Sequence, residues 1–390
     1  MEMYILDSLW RREAVIDVFK SFIWTERYAA WGDFELIIPS TAQNRNRLVQ
    51  GLFVSMDKSF RVGKIETVQD EVNDDGIRML TVKGRTLEAI LEDRLARGAT
   101  SGLDAAPKWV FTEMTPKEIL QQMFHDICVT GILNEGDIIP GIIEGSELFP
   151  EDTIDPPADD IPSYEVQAQP LYSAMGDVAK AYDLGYRIVR DPVSNLIYFD
   201  TYTGCNRTSK QATLPTVIFS PDMDNLKNVK KLTTVAGYKN VAYVLTNSLT
   251  EVVYGEGISP DIEGFERNVL IVDGQDITDG DVSAKAIQRG KDELKKYRQL
   301  QAIDGELADS VQYVYQEDYW LGDMIELRDD EGLTTDMRIA EQIFVHDEEG
   351  ERNYPTLSIN TFITPGSWLA YDPVAVWEDL GETDYWEDQV

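Results

Sequence analysis

The sequence predicts an α+β protein of several domains, in which two similar β regions flank helical segments. The chain has 390 residues, which is too long for one compact core and favours two or three domains. Short strand-like runs near both ends and apolar residues at helical spacing between them indicate mixed secondary structure. Apolar residues make up 43% of the chain, as in ordinary folded proteins.

Residues 1–104 are predicted to form the first β domain with a closing helix. Four segments have strand-like composition: 34–38, which Pro39 stops, 51–56, 60–68 and 77–82. Asp75-Gly76 predicts a hairpin turn, because glycine adopts the positive φ angle that such a turn requires. Thr86 is placed as the N-cap of the closing helix. The apolar stripe of that helix consists of Leu87, Ile90, Leu91 and Leu95.

Residues 105–215 are predicted to form an inserted α+β domain. Thr115-Pro-Lys-Glu118 is a capping-box pattern with proline at the first helical position, and it opens a helix that Gly131 ends. A second helix is expected from Leu171 to about Leu184, with Gly185 at its end and strands near 186–190 and 196–201 after it. Residues 150–170 are rich in acidic residues and proline, which favours a solvated loop or linker.

Residues 216–247 and 309–372 are predicted to form the second β domain, with an insertion at 248–308. Strands are expected near 216–220 and at Val241–Leu245. The insertion contains a helix from Ser283 to about Gln301, and residues 373–390 form an acidic tail.

The two β regions share a pattern. Gly51-Leu-Phe-Val54 and the segments that follow it up to Val82 have the order strand, strand, acidic-Gly turn, strand. The stretch from Gly322-Asp-Met-Ile325 to Ile359 has the same order at similar spacing. This indicates a duplicated unit, two related barrels or sheets in one chain, although two small β meanders can also resemble each other by chance. Three such chains would present six similar modules in a ring.

The charge of the chain excludes one class of partner. Seventy Asp and Glu stand against 35 Lys and Arg, which gives a formal net charge of −35. This field repels phosphates, so sequence-specific binding of nucleic acid is not expected. An acidic wall suits a conduit through which DNA passes without sticking, and a generally acidic, soluble surface explains the charge equally well.

No targeting or membrane signal is visible. No apolar run reaches the 18 residues of a membrane span, and the N-terminus lacks a basic segment before an apolar run, so we expect synthesis and assembly in a host cytoplasm.

Few residues are available for catalysis or metal binding. The chain has two cysteines, Cys128 and Cys205, and two histidines, His125 and His346. His125 and Cys128 have the spacing of half a zinc site, but no second pair accompanies them, so we expect no metal. The acidic run at Asp273, Asp276, Asp279 and Asp281 does not match a calcium loop, and an acidic turn is the favoured interpretation. No hydrolase or phosphate-binding motif occurs, and we expect neither enzymatic activity nor a cofactor.

Several segments together resemble the siphophage tail-hub proteins, also called minor tail or tail-associated proteins. The resemblance begins with Trp24-Thr-Glu-Arg-Tyr28 and Gly32-Asp-Phe34, and continues with Val82-Lys-Gly84-Arg85 and the segment up to Arg94. Later landmarks are Asn225-Leu226, Tyr238-Lys-Asn240 and Leu321-Gly322-Asp323. Their order and spacing carry the match, over about residues 4–365.

This resemblance implies a baseplate-hub fold with two β-barrel-like domains that carry inserted decorations. It implies a homotrimer at the tip of the virion tail, in contact with a distal tail ring protein, a tape-measure protein and tip or fibre proteins. Many relatives continue into fibre, receptor-binding or lytic regions, whereas this chain ends at Val390. We therefore do not expect receptor binding or wall degradation by this polypeptide, although a tail-associated cell-wall hydrolase and a carbohydrate-binding adhesin are the alternative functions.

Two groups of side chains have a functional and a structural interpretation. Trp24, Tyr28, Trp31 and Phe34 can form a platform for sugars, but a core or interface cluster is the favoured interpretation. Arg85 and Arg94 are expected to pair with local carboxylates.

The helix that begins at Ser283 carries the only concentrated basic surface of the chain. Its basic residues are Lys285, Arg289, Lys291, Lys295, Lys296 and Arg298. These side chains can dock onto an acidic face of a neighbouring subunit. The alternative is a solvated helix with a buried stripe of Ile287, Leu294 and Tyr297.

Overall fold

The structure is a computed structural model that describes most of the chain. The described residues are 1–72, 76–98, 108–157, 160–225, 227–235, 237–275, 277–278, 280–297, 300–306, 313–328, 334–348 and 350–359. They form two compact units, the first made of Met1–Leu232 and Ala302–Ile359 and the second containing Thr233–Gln301. The predicted tail at 373–390 lies outside the described residues.

The first β region contains seven strands and one short helix. These are β1 (Met3–Leu6), β2 (Arg12–Ile16), β3 (Ser21–Arg27), β4 (Asp33–Pro39), α1 (Ala42–Arg47), β5 (Phe53–Met56), β6 (Val62–Val72) and β7 (Arg78–Thr86). All four predicted strands are present, and β4 ends at Pro39 as expected. Along β4, alternate side chains are buried because successive residues of a strand point to opposite faces.

The predicted closing helix is wrong in type. Leu87–Asp93 form a 3₁₀ helix, and Leu95 belongs instead to the short strand β8 (Leu95–Ala96). Thr86 is at the N-cap position as predicted, but its side chain makes no capping hydrogen bond, and its hydroxyl accepts a hydrogen bond of 2.7 Å from the backbone N–H of Gly32.

The inserted region packs two helices against short strands. Its elements are β9 (Trp109–Phe111), α2 (Pro116–Phe124), β10 (Ile142–Glu144), β11 (Tyr164–Val166), β12 (Gln169–Pro170), α3 (Leu171–Tyr182), β13 (Gly185–Arg190) and β14 (Ile197–Tyr202). The predicted capping box is confirmed, with Thr115 and Glu118 bonded reciprocally and Pro116 at the start of α2. Helix α3 ends before Gly185, because Asp183 takes the left-handed conformation with φ 55°.

The acidic, proline-rich stretch after residue 150 is anchored at its beginning and is not simply a solvated linker. The amides of Thr153 and Ile154 both donate to the Gly204 carbonyl at 3.2 Å. The carboxylate of Asp152 accepts hydrogen bonds from the amides of Thr203 and Gly204 at 3.0 and 2.8 Å. This part of the chain is therefore fastened to the end of β14.

Along the chain, the remaining elements belong at first to the first unit, then to the second unit and then again to the first. In chain order they are β15 (Ile218–Phe219), β16 (Lys227–Thr234), β17 (Val241–Leu245), β18 (Thr250–Tyr254), β19 (Val269–Asp273), α4 (Val282–Lys296), β20 (Leu300–Glu306), β21 (Met324–Arg328), β22 (Thr334–Asp347) and β23 (Gly350–Ile359).

The α+β class is confirmed, but the described residues show no closed sheet. The strands of both β regions join in one large sheet, in which β22 of the second region pairs with β3 of the first. The order along its main path is β16-β20-β23-β22-β3-β4-β7-β6-β5-β1-β2. Two separate barrels are therefore not observed, because the strands of both β regions are hydrogen-bonded in one sheet.

The two predicted repeats have the same topology. In each, three consecutive antiparallel strands form a meander, β5-β6-β7 and β21-β22-β23, whose middle strand has a bulge. The bulged residues are Glu66 and Ala340, and Gly76 and Gly350, both with positive φ, follow them at the same spacing. The hydrogen bonds from Gly51 to Ile65 and from Gly322 to Ile339 also correspond. These shared details support a duplicated unit.

The strand order repeats as well. The sequence β16-β20-β23-β22 along the sheet corresponds to β3-β4-β7-β6, so each repeat contributes four strands in the same arrangement. Residues 28–32 connect β3 to β4, whereas residues 235–299 connect β16 to β20. The second unit is therefore inserted in the connection that corresponds to a short hairpin loop.

The second unit is a three-stranded sheet covered by one helix. Strand β17 pairs with β18 antiparallel and with β19 parallel, and α4 packs on this sheet through Ala286, Gly290 and Leu294. Val241–Leu245 is a strand as predicted, but it belongs to this unit and not to the second β domain. The reason is that its two hydrogen-bonding neighbours both come from the insertion.

We expect replacement of Gly290 by alanine to destabilise the second unit. An added Cβ would lie 2.6 Å from Val253 and 2.9 Å from Val244. Such overpacking costs about 1–3 kcal/mol, which exceeds the gain of about 0.5–1 kcal/mol from a better helix former. Gly176→Ala in α3 is the matched control, because no atom lies within 4 Å of its added Cβ. Hydrogen exchange of the substituted helix and thermal unfolding measure both effects, and equal responses of the two variants would contradict the packing argument.

Candidate assembly interface

The landmark aromatic residues Trp24 and Phe34 lie in the core of the first β region. Their rings stack with centroids 5.5 Å apart, and both side chains are buried. Gly84 makes room for this pair, because an added Cβ would lie 2.7 Å from the Phe34 ring and would overlap the Lys64 carbonyl. Gly32 is constrained in the same way by the Thr25 carbonyl. These positions are determined by packing.

The platform for sugars, which the sequence favoured less than a core or interface cluster, is not formed. Trp24, Tyr28 and Phe34 are all buried, so their faces cannot receive a ligand from solvent. Trp31 is partly exposed, but the guanidinium of Arg85 lies 5.1 Å from its ring centroid. The Trp31 indole N–H donates to a Glu92 carboxylate oxygen at 2.9 Å. The ring is therefore engaged by charged neighbours.

The two landmark arginines bind local groups. Arg85 pairs with Glu66 at 2.9 Å and with Glu92 at 2.6 Å, and these hydrogen bonds raise its pKa. Arg94 donates mainly to the Asp137 carbonyl at 3.0 Å, while its distance to the Asp137 carboxylate is 3.8 Å. Arg85 thus pairs with carboxylates as predicted, whereas the main partner of Arg94 is a backbone carbonyl.

Tyr28 and Gly322 meet in a buried junction between the β regions and the inserted region. The Tyr28 hydroxyl donates to the carbonyls of Asp183 and Tyr202 at 3.0 and 3.2 Å, and burial raises its pKa. Arg338 stacks over the Tyr28 ring at 4.7 Å. Its guanidinium donates to the Thr203 carbonyl at 2.5 Å, to the Gly322 carbonyl and to the Asp183 carboxylate at 2.8 Å. We name Tyr28, Asp183, Tyr202, Gly322 and Arg338 the junction cluster.

Asp323 is buried next to the junction cluster. Its carboxylate accepts hydrogen bonds from the amides of Cys205 and Trp320 at 2.8 and 3.0 Å and pairs with Arg207 at 2.6 Å. Burial raises the pKa of Asp323, while these donors favour its charged form. The fold fixes all of these donors, so the landmark residue Asp323 also has a structural role.

The junction cluster contains residues that the sequence analysis missed. Arg338, Tyr202 and Asp183 come from three different elements, and no local pattern connects them. The sequence offered one signal of this cluster, which was an arginine between the apolar residues Met337 and Ile339 of a predicted strand.

The basic helix α4 is partly exposed. Lys291 is exposed, Arg289 donates to the Asp273 carbonyl at 3.1 Å, and Lys295 lies 3.9 Å from the Asp292 carboxylate. Lys285 is half-buried, whereas the side chain of Lys296 and all of Arg298 lie outside the described residues. Leu294 is buried as predicted, but Tyr297 is 40% exposed and does not complete the expected stripe.

The residues considered for metal binding have other contacts. The Nδ1 of His125 lies 2.8 Å from Glu144, and Cys128 is fully buried, which raises its pKa to about 12. Asp281 caps α4 by accepting from the Ala284 amide, and Asp273 accepts from the Gln275 amide. Asp276 and Asp279 lie outside the described residues. Over the described part of the chain, no three such ligands cluster, and no helix has the length and apolar character of a membrane span.

Several strand edges in the sheet of the first unit have no partner among the described residues, and two of them belong to β6 and β16. On one edge of β6, only Val62–Lys64 pair with β5, so the ladder stops before Thr67–Val72. At one end of the main path of the sheet, β16 pairs with β20 alone. We name these the β6 edge and the β16 edge. Unpaired strand edges are sites where another chain can add its strands.

We expect Gly322→Ala to destabilise the first unit far more than Gly51→Ala. Both glycines have positive φ, 97° and 87°, so each alanine costs about 1–2 kcal/mol in backbone conformation. At Gly322 the added Cβ would also lie 2.7 Å from Tyr202 and 2.8 Å from Tyr28, whereas no atom lies within 4 Å at Gly51. Crowding adds about 1–3 kcal/mol. Thermal unfolding measures the difference, and equal losses would contradict the described junction cluster.

Two solved structures have the same fold over nearly the whole chain. The 43 kDa tail protein of prophage MuSo2 from Shewanella oneidensis is 13% identical, with a TM-score of 0.53 over 92% of this chain and 97% of that one. A tail protein from Neisseria meningitidis MC58 is 14% identical, with a TM-score of 0.54 over 94% of this chain and 98% of the other. At these identities the likeness establishes the fold alone.

The sequence itself matches one family model. No curated protein matches the chain. The model described as Siphovirus ReqiPepy6 Gp37-like protein matches residues 2–357, and it confirms the predicted relation to siphophage proteins with a tail-protein fold. The chain therefore belongs to the Siphovirus ReqiPepy6 Gp37-like protein family.

Proposed function

We propose that this protein is a structural subunit of a phage tail, a hub that assembles as a homotrimeric ring at the tail tip. The observation that carries the proposal is the repeated strand order, in which two copies of one four-strand arrangement lie side by side in a single sheet. Membership of a siphovirus family and the shared fold with two tail proteins support a role in the tail.

The repeat explains how three copies could form a ring of six similar modules. Each chain supplies two equivalent modules, so a trimer supplies six around an axis. The sheet of one chain begins with the first strand of a module, β16, and its repeated part ends with the last strand of a module, β6. A neighbour could therefore continue the order where the chain stops. A heterologous contact of this kind generates a ring when its rotation closes.

The ring would join the distal tail ring above to tip or fibre proteins below, with the end of the tape-measure protein in the lumen. DNA would leave through this lumen without sequence-specific contacts, and the net charge of −35 would keep it from adhering. We also propose the domain division that the sequence predicts, except that the strand Val241–Leu245 belongs to the second unit.

A tail-associated hydrolase and a carbohydrate-binding adhesin are the competing functions. The burial of Trp24, Tyr28 and Phe34 counts against an adhesin that binds sugars through these rings. A zymogram on host cell walls and a pull-down on the same walls would each detect the corresponding activity. We expect no cleared band and no retention above that of a tail-unrelated protein.

We expect the purified protein to form a three-fold ring with a central hole. Negative-stain images give the symmetry, and multi-angle light scattering gives the mass of the assembly relative to the 44.2 kDa chain. Monomers alone at about 100 μM would contradict self-assembly of the hub, since specific subunit interfaces typically bind well below that concentration.

We further propose that the basic helix α4 docks onto an acidic surface of a neighbouring subunit. Lys291→Glu, Lys295→Glu and Lys296→Glu together should weaken assembly, because opposite charges attract chains that otherwise repel one another. The matched control reverses Lys20, Lys180 and Lys210, three exposed lysines outside this helix. An unchanged mass of the α4 variant in light scattering would exclude docking through this helix.

A further inference from the structure

Helix α4 covers one face of the sheet of the second unit. Val244 of β17 is buried in a hydrophobic cluster with Leu294 of α4. Successive residues of a strand point to opposite faces, so Tyr243 lies on the face away from α4. Its register partners Val252 of β18 and Ile271 of β19 lie on the same face. The open face, as we name it, consists of Tyr243, Val252, Tyr254 and Ile271.

The open face is apolar and accessible to solvent. The side chain of Ile271 is 72% exposed and that of Val252 is 38% exposed, while Tyr243 and Tyr254 are half-buried. Exposed apolar residues that occur singly need no explanation, but adjacent ones mark a contact surface. We therefore expect another part of a protein to cover this face.

The open face carries Arg267, which has no carboxylate partner among the described residues. Its guanidinium lies 5.8 and 5.7 Å from the ring centroids of Tyr243 and Tyr254. It donates to the Tyr243 hydroxyl at 3.0 Å and to the Ile262 carbonyl at 3.1 Å. A guanidinium has five N–H donors and binds a carboxylate through two of them, so Arg267 can accept an acidic partner as well.

These side chains define the chemistry of the occupant. Tyrosine and arginine next to aliphatic residues are typical of the centre of a protein interface. The open face thus fits a segment in which an aromatic side chain is followed by a carboxylate. A second copy bound through the same face fits poorly, because it would bring two Arg267 guanidinium groups together.

The chain itself contains a segment with this chemistry. The tripeptide Trp-Glu-Asp occurs twice, at 377–379 and at 386–388. Residues 360–390 lie outside the described residues, and their sequence contains three of the eight tryptophans of the chain and no lysine or arginine. Segments that remain solvated contain few aromatic residues, so these tryptophans indicate a contact with an apolar surface. We name residues 377–390 the Trp-Glu-Asp segment.

The Trp-Glu-Asp segment can reach the open face. Ser358, near the end of β23, pairs with Ala302, which is the first residue after the second unit. The chain therefore leaves the large sheet beside the point where the second unit is attached. Residues 360–376 span up to about 56 Å when extended. A compact unit of about 65 residues has a radius of gyration of only about 11 Å, so the open face is within reach wherever it points.

We infer that the Trp-Glu-Asp segment binds the open face of the second unit in the same chain, with a tryptophan ring on the apolar residues and a neighbouring carboxylate paired with Arg267. Glu263 and Glu266 are exposed in the same loop as Arg267, so charge alone would not attract an acidic segment. Burial of the tryptophan ring supplies the affinity, and Arg267 determines where the segment binds. The inference does not depend on the proposed ring, because both partners belong to one chain.

Protease protection of the full-length chain tests the inference. Endoproteinase Glu-C cleaves after glutamate, and the Trp-Glu-Asp segment contains Glu378, Glu382 and Glu387. Arg267→Asp and Ile271→Asp remove one contact each without adding a cleavage site. We expect each to accelerate cleavage within the segment at least about tenfold, because both lie at the centre of the contact. The masses of the C-terminal fragments measure the rate.

Each variant has a matched control. Val193→Asp places the same charge on an apolar side chain of the first unit that is 87% exposed. Lys291→Asp removes an exposed cation from α4, on the other side of the second unit. We expect both controls to be cleaved at the rate of the unmodified protein, and thermal unfolding verifies that every variant is folded.

A second experiment measures the same contact between separate molecules. The full-length variant with Trp377→Ala and Trp386→Ala leaves the open face free for a fluorescent peptide with the sequence of residues 377–390. We expect saturable binding in fluorescence anisotropy, and at least about tenfold weaker binding after Arg267→Asp is added to this variant. A peptide of the same composition in scrambled order is the control. Peptide and protein are both acidic, so charge does not favour non-specific binding.

The outcomes distinguish the occupants. Equal cleavage of the unmodified protein and of the Arg267 and Ile271 variants would overturn the inference, as would failure of the peptide to bind. Acceleration by Lys291→Asp alone would place the segment on α4. Loss of protection on dilution would show that the segment binds a second copy, because a contact within one chain does not depend on concentration. The mass of the assembly in light scattering tests the ring separately, so either proposal can fail alone.

Discussion

The pairing of β3 with β22 is the interaction on which the first unit depends. It joins residues that are more than 300 positions apart in sequence, and it merges two β regions into one sheet. Its register places Trp24 opposite Phe344, and both side chains are buried. A slip of one residue would turn the buried set of this strand to the other face, so the register is strongly determined by the core.

The junction cluster shows how this sheet accommodates the inserted region. Arg338 is 3% exposed, and a buried guanidinium is costly unless its donors are satisfied. Two carbonyls and the Asp183 carboxylate accept from its terminal nitrogens, and the Tyr28 ring covers it, whereas its Nε has no hydrogen-bond partner among the described residues. Gly322 allows this close approach because it has no side chain. The cluster therefore joins the large sheet to the inserted region through the hydrogen bonds of one buried arginine.

Local features of the fold were predictable from the sequence. The capping box at Thr115 and Glu118, the strand that ends at Pro39 and the strand Val241–Leu245 depend on neighbours within a few residues. The similarity of the two meanders was also visible in the sequence, because duplicated units keep the spacing between their turns even when the side chains differ. The sequence could place the basic residues of α4 on a helix, but it could not determine what they contact.

Other features depend on distant contacts, and the sequence could not determine them. The closing segment after Thr86 becomes a 3₁₀ helix, and the hydroxyl expected to cap it is used by Gly32, which lies 54 positions away in sequence. Whether the strands close into barrels depends on which edge meets which, and periodicity carries no such information. Asp183, Tyr202 and Arg338 come together only through the tertiary fold.

The long connection from β16 to β20 affects how freely the second unit can change. The corresponding connection in the other half is only residues 28–32, so the sheet does not require the 65 residues that fill this one. The large sheet can thus keep its register while the second unit is exchanged, enlarged or lost. Such a virus can therefore acquire new surface properties at this position without changes in the rest of the fold.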